Sequence, residues 1–220
     1  MKTIALSGFM GCGKSSIGKV LAGMLSGTFI DLDTQVEAIS GRKITEIFAE
    51  DGEAAFRSLE KNCLTEILAA QAGKPSGKGI TVLSLGGGTL TTPECAEMIH
   101  RNTFCIYLKA EIDTLLHNLE GNCEGRPMLT GQIKENSTNN GTASETVTGT
   151  ASGTGRAETE VKEKEGPEIS SETLSKRIVR LMSVRAPIYE KTAHITIEID
   201  GLDFRQAAEK IASSISCYCC

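Results

Sequence analysis

No stretch of this 220-residue chain approaches the apolar length that spans a bilayer. Its start, MKTIALSGFMGCGK, also lacks the apolar run and small-residue cleavage site of a signal peptide. Positive charge is not in excess: 23 Lys and Arg face 28 Asp and Glu, a formal net charge of -5. That balance excludes a general nucleic-acid or membrane-surface binder, while leaving room for a local basic cleft. The eight cysteines and three histidines show no metal-ligand spacing, so the cysteines read as free thiols of a reducing compartment. The last residues, Cys217-Tyr218-Cys219-Cys220, fit a prenylation signal poorly, and no polybasic segment precedes them. These absences lead to the expectation of a soluble cytoplasmic protein. The length suits one well-buried core, so residues 1–220 are read as a single domain.

Short apolar runs alternate with helical patterns along the chain. Thr3 to Leu6 reads as a strand before a Gly-rich turn, and Ile17, Val20, Leu21, Met24 and Leu25 follow at helical spacing. Further strands are expected at 28–30, 80–85, 104–108 and 195–199. Between the second and third, two helical stretches carry Ile39, Ile44, Ile47, Phe48 and then Phe56, Leu59, Cys63, Ile67, Leu68. Thr92-Pro93-Glu94 opens another helix, with Pro in the first turn and an acid near the positive end of the dipole. Strands separated by helices in this way predict an α/β fold with a mainly parallel sheet. Residues 131–170 break the rhythm: they are Thr, Ser, Gly, Asn, Glu and Lys with almost no apolar side chains. Such a segment buries too little surface to offset the entropy of ordering and is expected to be disordered.

Gly8-Phe9-Met10-Gly11-Cys12-Gly13-Lys14-Ser15 matches G-x-x-x-x-G-K-[ST], placed after a strand and opening a helix as its mechanism needs. Glycines let successive backbone N–H groups turn inward around phosphate oxygens, Lys14 reaches the β and γ phosphates, and Ser15 holds Mg²⁺. Gly11, Cys12, Gly13, Lys14, Ser15 and Ser16 are therefore the candidate nucleotide contacts, with ATP as co-substrate. Asp31 and Asp33 lie at the end of the second strand, two residues apart on what reads as extended chain, so they would point the same way. One could support Mg²⁺ and the other accept a hydroxyl proton; equally, the pair could be solvated or helix-capping acids. Arg57 and Glu60, at i and i+3 on a helix, read alone as a surface ion pair. Gly86-Gly87-Gly88 would let a ligand approach the backbone, or would serve as a flexible strand exit. Arg57, Arg126 and Arg185 together supply guanidinium groups suited to fork-like pairing with a carboxylate or phosphate.

In this order and spacing, GFMGCGKSSIGK at 8–19, DLD at 31–33, FRSLE at 56–60, LGGG at 85–88, RPML at 126–129 and RAPIYEKTA at 185–193 resemble the shikimate kinase family. The resemblance covers the chain outside 131–170. It implies a five-stranded parallel sheet flanked by helices, of the P-loop, nucleoside monophosphate kinase type, with a mobile lid carrying Arg126. It further implies phosphoryl transfer from Mg-ATP to the 3-hydroxyl of shikimate, in aromatic amino-acid biosynthesis, by a monomer. Asp33 would bind and orient the substrate hydroxyl, Arg57 and Arg185 would hold its carboxylate, and Gly87 would contact the ring hydroxyls. Arg126 would reach over the phosphates as a catalytic and nucleotide contact beside Lys14, Asp31 would be the outer-sphere magnesium carboxylate, and Glu60 would hold Arg57 in place. Two departures from the family pattern stand out. Leu119-Glu120-Gly121-Asn122 occupies the place where many members carry an arginine packed on the adenine, and 131–170 lengthens a lid that is normally short. Two other readings stay open: a different small-metabolite kinase, resembling gluconate kinases, and a nucleotide-dependent binding protein without catalysis.

Overall fold

The computed structural model describes residues 3–73, 79–119 and 171–218. The expected insertion at 131–170, and the lid residue Arg126, lie outside the described residues. Five strands form one sheet: β1 (Thr3–Ser7), β2 (Thr28–Asp31), β3 (Thr81–Ser84), β4 (Phe104–Lys109) and β5 (Ile195–Glu198). Their order across the sheet is β2-β3-β1-β4-β5, and every neighbouring pair is parallel. β1 and β3 are buried along their whole length, as strands covered by helices on both faces must be. β5, at the edge, buries only part of its length.

Helix α1 (Lys14–Met24) carries the chain from β1 to β2. Helices α2 (Leu32–Ser40), α3 (Ile44–Glu50) and α4 (Gly52–Ala72) lead back to β3, and α5 (Pro93–Asn102) to β4. After β4 come α6 (Ile112–Leu119) and α7 (Ser171–Thr192), then β5 and α8 (Phe204–Tyr218). Right-handed crossovers that step in opposite directions along the sheet place their helices on opposite faces. Thus α1 packs with α8 on one face, while α4, α5 and α7 pack together on the other.

Local chemistry explains the element ends. Asp31 closes β2 and its carboxylate accepts the Thr34 N–H, which caps α2. Gly41, at φ 68°, stops α2 in the left-handed conformation, splitting the first expected helical stretch in two. As a result Ile39, counted by spacing with the core, lies 59% exposed. Pro93 at the first turn and Glu94 beside it start α5, and His100 and Arg101 end it. Register aligns Asp31 with Ser84 and Leu6 with Ser84, so the C-terminal ends of β2, β3 and β1 lie side by side. The strand order reverses direction at β1 and β3, the place where open α/β sheets bind ligands.

Candidate active site

A cleft of about 450 Å³ opens above those strand ends. At one end lies the loop from Gly8 to Gly13. Gly8, Gly11 and Gly13 have φ of 143°, 85° and 83°, a region side chains rarely adopt. Space is short as well: a Cβ on Gly8 would lie 2.7 Å from the Leu108 carbonyl oxygen, and one on Gly11 would lie 2.9 Å from Leu119 Cγ. The loop is thus pressed onto β4 and α6. It enters α1 with no side-chain cap and no acid in the first turn, which leaves the N-terminal N–H groups and the positive dipole end to an anion. Gly11, Gly13, Lys14, Ser15 and Ser16 line the cleft. Lys14 is folded onto its own loop, its Nζ donating to the Gly8 and Phe9 carbonyls at 2.9 Å each. Cys12 supplies backbone to the loop, while its thiol is buried and approaches Lys14 Nζ at 3.9 Å. Cys12, Cys63, Cys95 and Cys105 are all free and buried, and burial pushes the Cys95 and Cys105 thiols up to about 11.

The floor of the cleft is an oxygen cluster. The Ser15 hydroxyl donates to Asp31 Oδ2 at 2.5 Å and lies 3.4 Å from Ser84 Oγ. Hydroxyls and a carboxylate form a donor set suited to a hard cation such as Mg²⁺, which keeps several waters and takes phosphate oxygens rather than needing an all-protein cage. Among the described residues no group of three or more His, Cys, Asp or Glu is placed to hold a metal.

The other end gathers side chains from distant parts of the chain. Asp33 sits in the first turn of α2, so the chain between it and Asp31 is not extended. The turn directs Asp31 to Ser15 and places Asp33 at the opposite side, toward Gly86. Burial, then the Glu60 and Asp31 carboxylates, push the Asp33 carboxyl up to about 6, against the pull of Lys14 and Arg57. Arg57 and Glu60 are not a surface pair. Glu60 is completely buried, and its Oε2 accepts from Arg57 Nη1 at 2.7 Å. Glu53 Oε1 takes Arg57 Nε at 3.2 Å and Nη2 at 3.0 Å. Burial works against the Arg57 charge, but these two carboxylates outweigh it and its pKa is raised. Arg185, on α7, is 4% exposed and lies over the Phe9 ring. Burial lowers its pKa. Arg185 Nη1 donates to the Gly87 carbonyl at 3.3 Å, and the buried Tyr189 hydroxyl donates to the same oxygen. The three glycines have ordinary backbone angles; close approach is what requires them. A Cβ on Gly88 would lie 2.2 Å from Arg57 Nη2, and one on Gly87 3.2 Å from the Met10 nitrogen. The cleft wall adds Ile44, Phe48 and Phe56, the two rings 4.8 Å apart.

A family model described as shikimate kinase matches residues 10–152. The shikimate kinase of Chlorobium chlorochromatii is 33% identical over 215 residues, covering 98% of this chain and 91% of the relative. The chain belongs to the shikimate kinase family. Among solved structures, shikimate kinase from Acinetobacter baumannii in complex with shikimate aligns with a TM-score of 0.73 at 25% identity, over 99% of this chain and 94% of that one. The enzyme from Bacteroides thetaiotaomicron aligns with a TM-score of 0.70 at 25% identity, over 98% of each chain. Like those relatives it is an ATP-dependent kinase with a P-loop and a five-stranded parallel sheet.

Family membership makes the remaining differences informative. Leu119, at the start of the departing segment, is completely buried and packs on Gly11. Near it, Asn118 Nδ2 donates to the Gly11 carbonyl at 2.9 Å, and the half-exposed Phe204 ring closes on Gly13. Neither residue was singled out in the sequence, and no motif marks them. Ser84 carries no motif either, although its place at the end of an apolar run beside a triple glycine is a readable signal. No helix among the described residues is long and apolar enough to cross a membrane.

Proposed function

We propose that this protein transfers the γ-phosphoryl group of Mg-ATP to the 3-hydroxyl of shikimate. The observation that carries this reading is the meeting in one cleft of a phosphate loop, a partly buried carboxyl with raised pKa, and two arginines, Arg57 partly and Arg185 fully buried. Lys14 and Ser15 face the first, Asp33 lies between, and Arg57 and Arg185 stand at the far end. Forks at Arg57 and Arg185 match a ligand carboxylate. The Gly87 carbonyl is committed to Tyr189 and Arg185, which leaves its N–H and α-carbon to the ring hydroxyls. Phe204 and Asn118 flank the phosphate loop at Gly13 and Gly11 and are the neighbours assigned here to the base.

Asp33 orients the acceptor hydroxyl and takes its proton as the new oxygen–phosphorus bond forms and the bond to the β-phosphate oxygen breaks. A carboxyl titrating near 6 is largely ionised at neutral pH, yet a better proton acceptor than an ordinary Asp. Lys14 exchanges the Gly8 and Phe9 carbonyls for phosphate oxygens. Ser15 and Asp31 would hold Mg²⁺, which would supply charge neutralisation to the phosphates when bound. Arg126 would add to that neutralisation from the lid. The product, shikimate 3-phosphate, belongs to aromatic amino-acid biosynthesis in the cytoplasm, where four buried free thiols are at home, and the enzyme acts as a monomer. ADP release should be measured with shikimate, with gluconate and with no acceptor. Release dependent on shikimate alone is expected; equal release with gluconate points to a different small-metabolite kinase, and nucleotide binding without acceptor-dependent release points to a non-catalytic protein.

A further inference from the structure

Thr89 follows the triple glycine in a short 3-10 turn, Thr89–Thr91, and is completely buried. Its hydroxyl lies 2.6 Å from Glu60 Oε1 and 3.1 Å from the Gly86 carbonyl. One hydroxyl has one proton, and the charged, closer acceptor takes it. The Gly86 carbonyl already has the Thr89 backbone N–H, at 3.2 Å. Glu60 is therefore held from both sides: Arg57 on Oε2 and Thr89 on Oε1. With no exposure to solvent, Glu60 has no water to replace either partner.

The surroundings make that second clamp consequential. A Cβ on Gly86 would lie 2.7 Å from Glu60 Oε1, 2.8 Å from Asp33 Oδ1 and 3.0 Å from Thr89 Oγ1. Two carboxylates thus converge on the space beside the Gly86 α-carbon, and the Thr89 proton is the group that fixes the tilt of the nearer one. We infer that Thr89 is a positioning residue of the acceptor site: its hydroxyl orients Glu60, and through Glu60 sets the direction in which Arg57 presents its guanidinium to the substrate carboxylate. Without that donor, Oε1 is a stranded buried acceptor, Glu60 turns away from Arg57, and the fork loses its aim. The hydrogen bonds that hold Thr89, Glu60 and Arg57 involve no residue of the phosphate loop, so nucleotide binding is spared.

The inference rests on the proposed shikimate reading, and two measurements keep them apart. Steady-state constants of the full chain are compared for wild type, Thr89→Ser, Thr89→Val and Thr89→Ala. Serine, which keeps the hydroxyl, should stay within about threefold of wild type. Valine, which keeps the shape, and alanine should each raise the shikimate KM about tenfold or more, with the ATP KM within about twofold. If valine does not fold, serine against alanine decides. A valine or alanine variant with the wild-type shikimate KM, a serine variant as impaired as valine, or a rise in both KM values would overturn the inference. Independently of any substrate, Thr89→Val should lower Tm by about 5 °C in wild type and by much less in Glu60→Gln, where no buried charge is stranded. Equal losses in the two backgrounds would break the Thr89–Glu60 link even if shikimate were not the acceptor.

Discussion

The nucleotide end of the cleft is built by one short stretch of chain, Gly8 to Ser16, and the acceptor end by α2, α4, the turn after β3 and α7. At the nucleotide end the backbone does most of the work, and the charged or hydroxyl side chains come from Lys14, Ser15 and Ser16. At the acceptor end the charged side chains other than Asp33 are already partnered: Arg57 with Glu60 and Glu53, Glu60 with Thr89, and Arg185 with Gly87. A phosphate loop needs glycine backbone that can aim successive N–H groups at the anion, whereas recognition of a small carboxylate needs side chains locked before it arrives. Damage should therefore differ in kind. Changes at the loop act on turnover, and changes at the far end act on acceptor affinity.

The largest effect is expected at the one place where the loop carries a mobile charge. Lys14→Ala should lower kcat by about 10³-fold. The variant should stay folded by circular dichroism, with a lowered Tm, because it leaves the buried Gly8 and Phe9 carbonyls without the Lys14 donor but removes no core side chain. Near-normal kcat would remove the loop from the mechanism.

Asp33 stands where the two ends meet, and its replacement should separate activity from stability. Asp33→Asn should lower kcat by about 10²-fold or more. The folded pKa near 6 lies above the ordinary 3.8, so the native state holds this proton more tightly than the unfolded chain. That stabilisation is complete below about 3.8 and is lost as pH rises through 6. Ionised Asp33 therefore costs stability at neutral pH, on the order of 3 kcal/mol, and Asp33→Asn should raise Tm by several degrees at pH 7. The gain should shrink on acidification to pH 4, as the wild-type carboxyl protonates. A gain that does not change with pH would show that burial and Glu60 do not strain this carboxyl.

Whether a residue could be read in advance followed the same division. The phosphate loop is contiguous, so its spacing carries its meaning, and all five strands are short apolar runs between turns. Arg57 and Glu60 read alone as a surface pair because helical spacing tells which side chains are neighbours and not what covers them; α4 buries Glu60 under the turn after β3. Asp31 and Asp33 read as parallel side chains on a strand because nothing in DLD announces that the helix starts at Leu32. Here the capping alternative was right for Asp31, which also receives the Ser15 hydroxyl. Thr89 and Phe204 were invisible for a plainer reason: each matters through a contact with a segment far away in the chain.

Smaller effects should sharpen the contrast at the acceptor end. Arg57→Lys and Arg185→Lys keep the charge but lose the planar fork, and each should weaken shikimate binding about tenfold with ATP binding within about twofold, as read by titration calorimetry. Loss of ATP affinity in either variant would merge the two ends into one site. The smallest effect is expected outside both. Replacing 131–170 with a short Gly-Ser linker long enough to join its flanks should leave the shikimate KM within a few-fold, since each doubling of a flexible loop costs only about 0.6 kcal/mol in closure entropy. A folded but inactive shortened enzyme would show that this segment takes part in the site.

The most direct test follows the phosphorus itself. Wild-type protein, Mg-ATP and shikimate are monitored by ³¹P NMR, with proton coupling used to locate the new ester. A phosphomonoester on the 3-oxygen that grows as the γ-phosphate signal falls, and that fails to appear over the same period with Asp33→Asn, is the predicted result. Free inorganic phosphate without an ester, an ester on another oxygen, or an undiminished rate with Asp33→Asn would contradict the account.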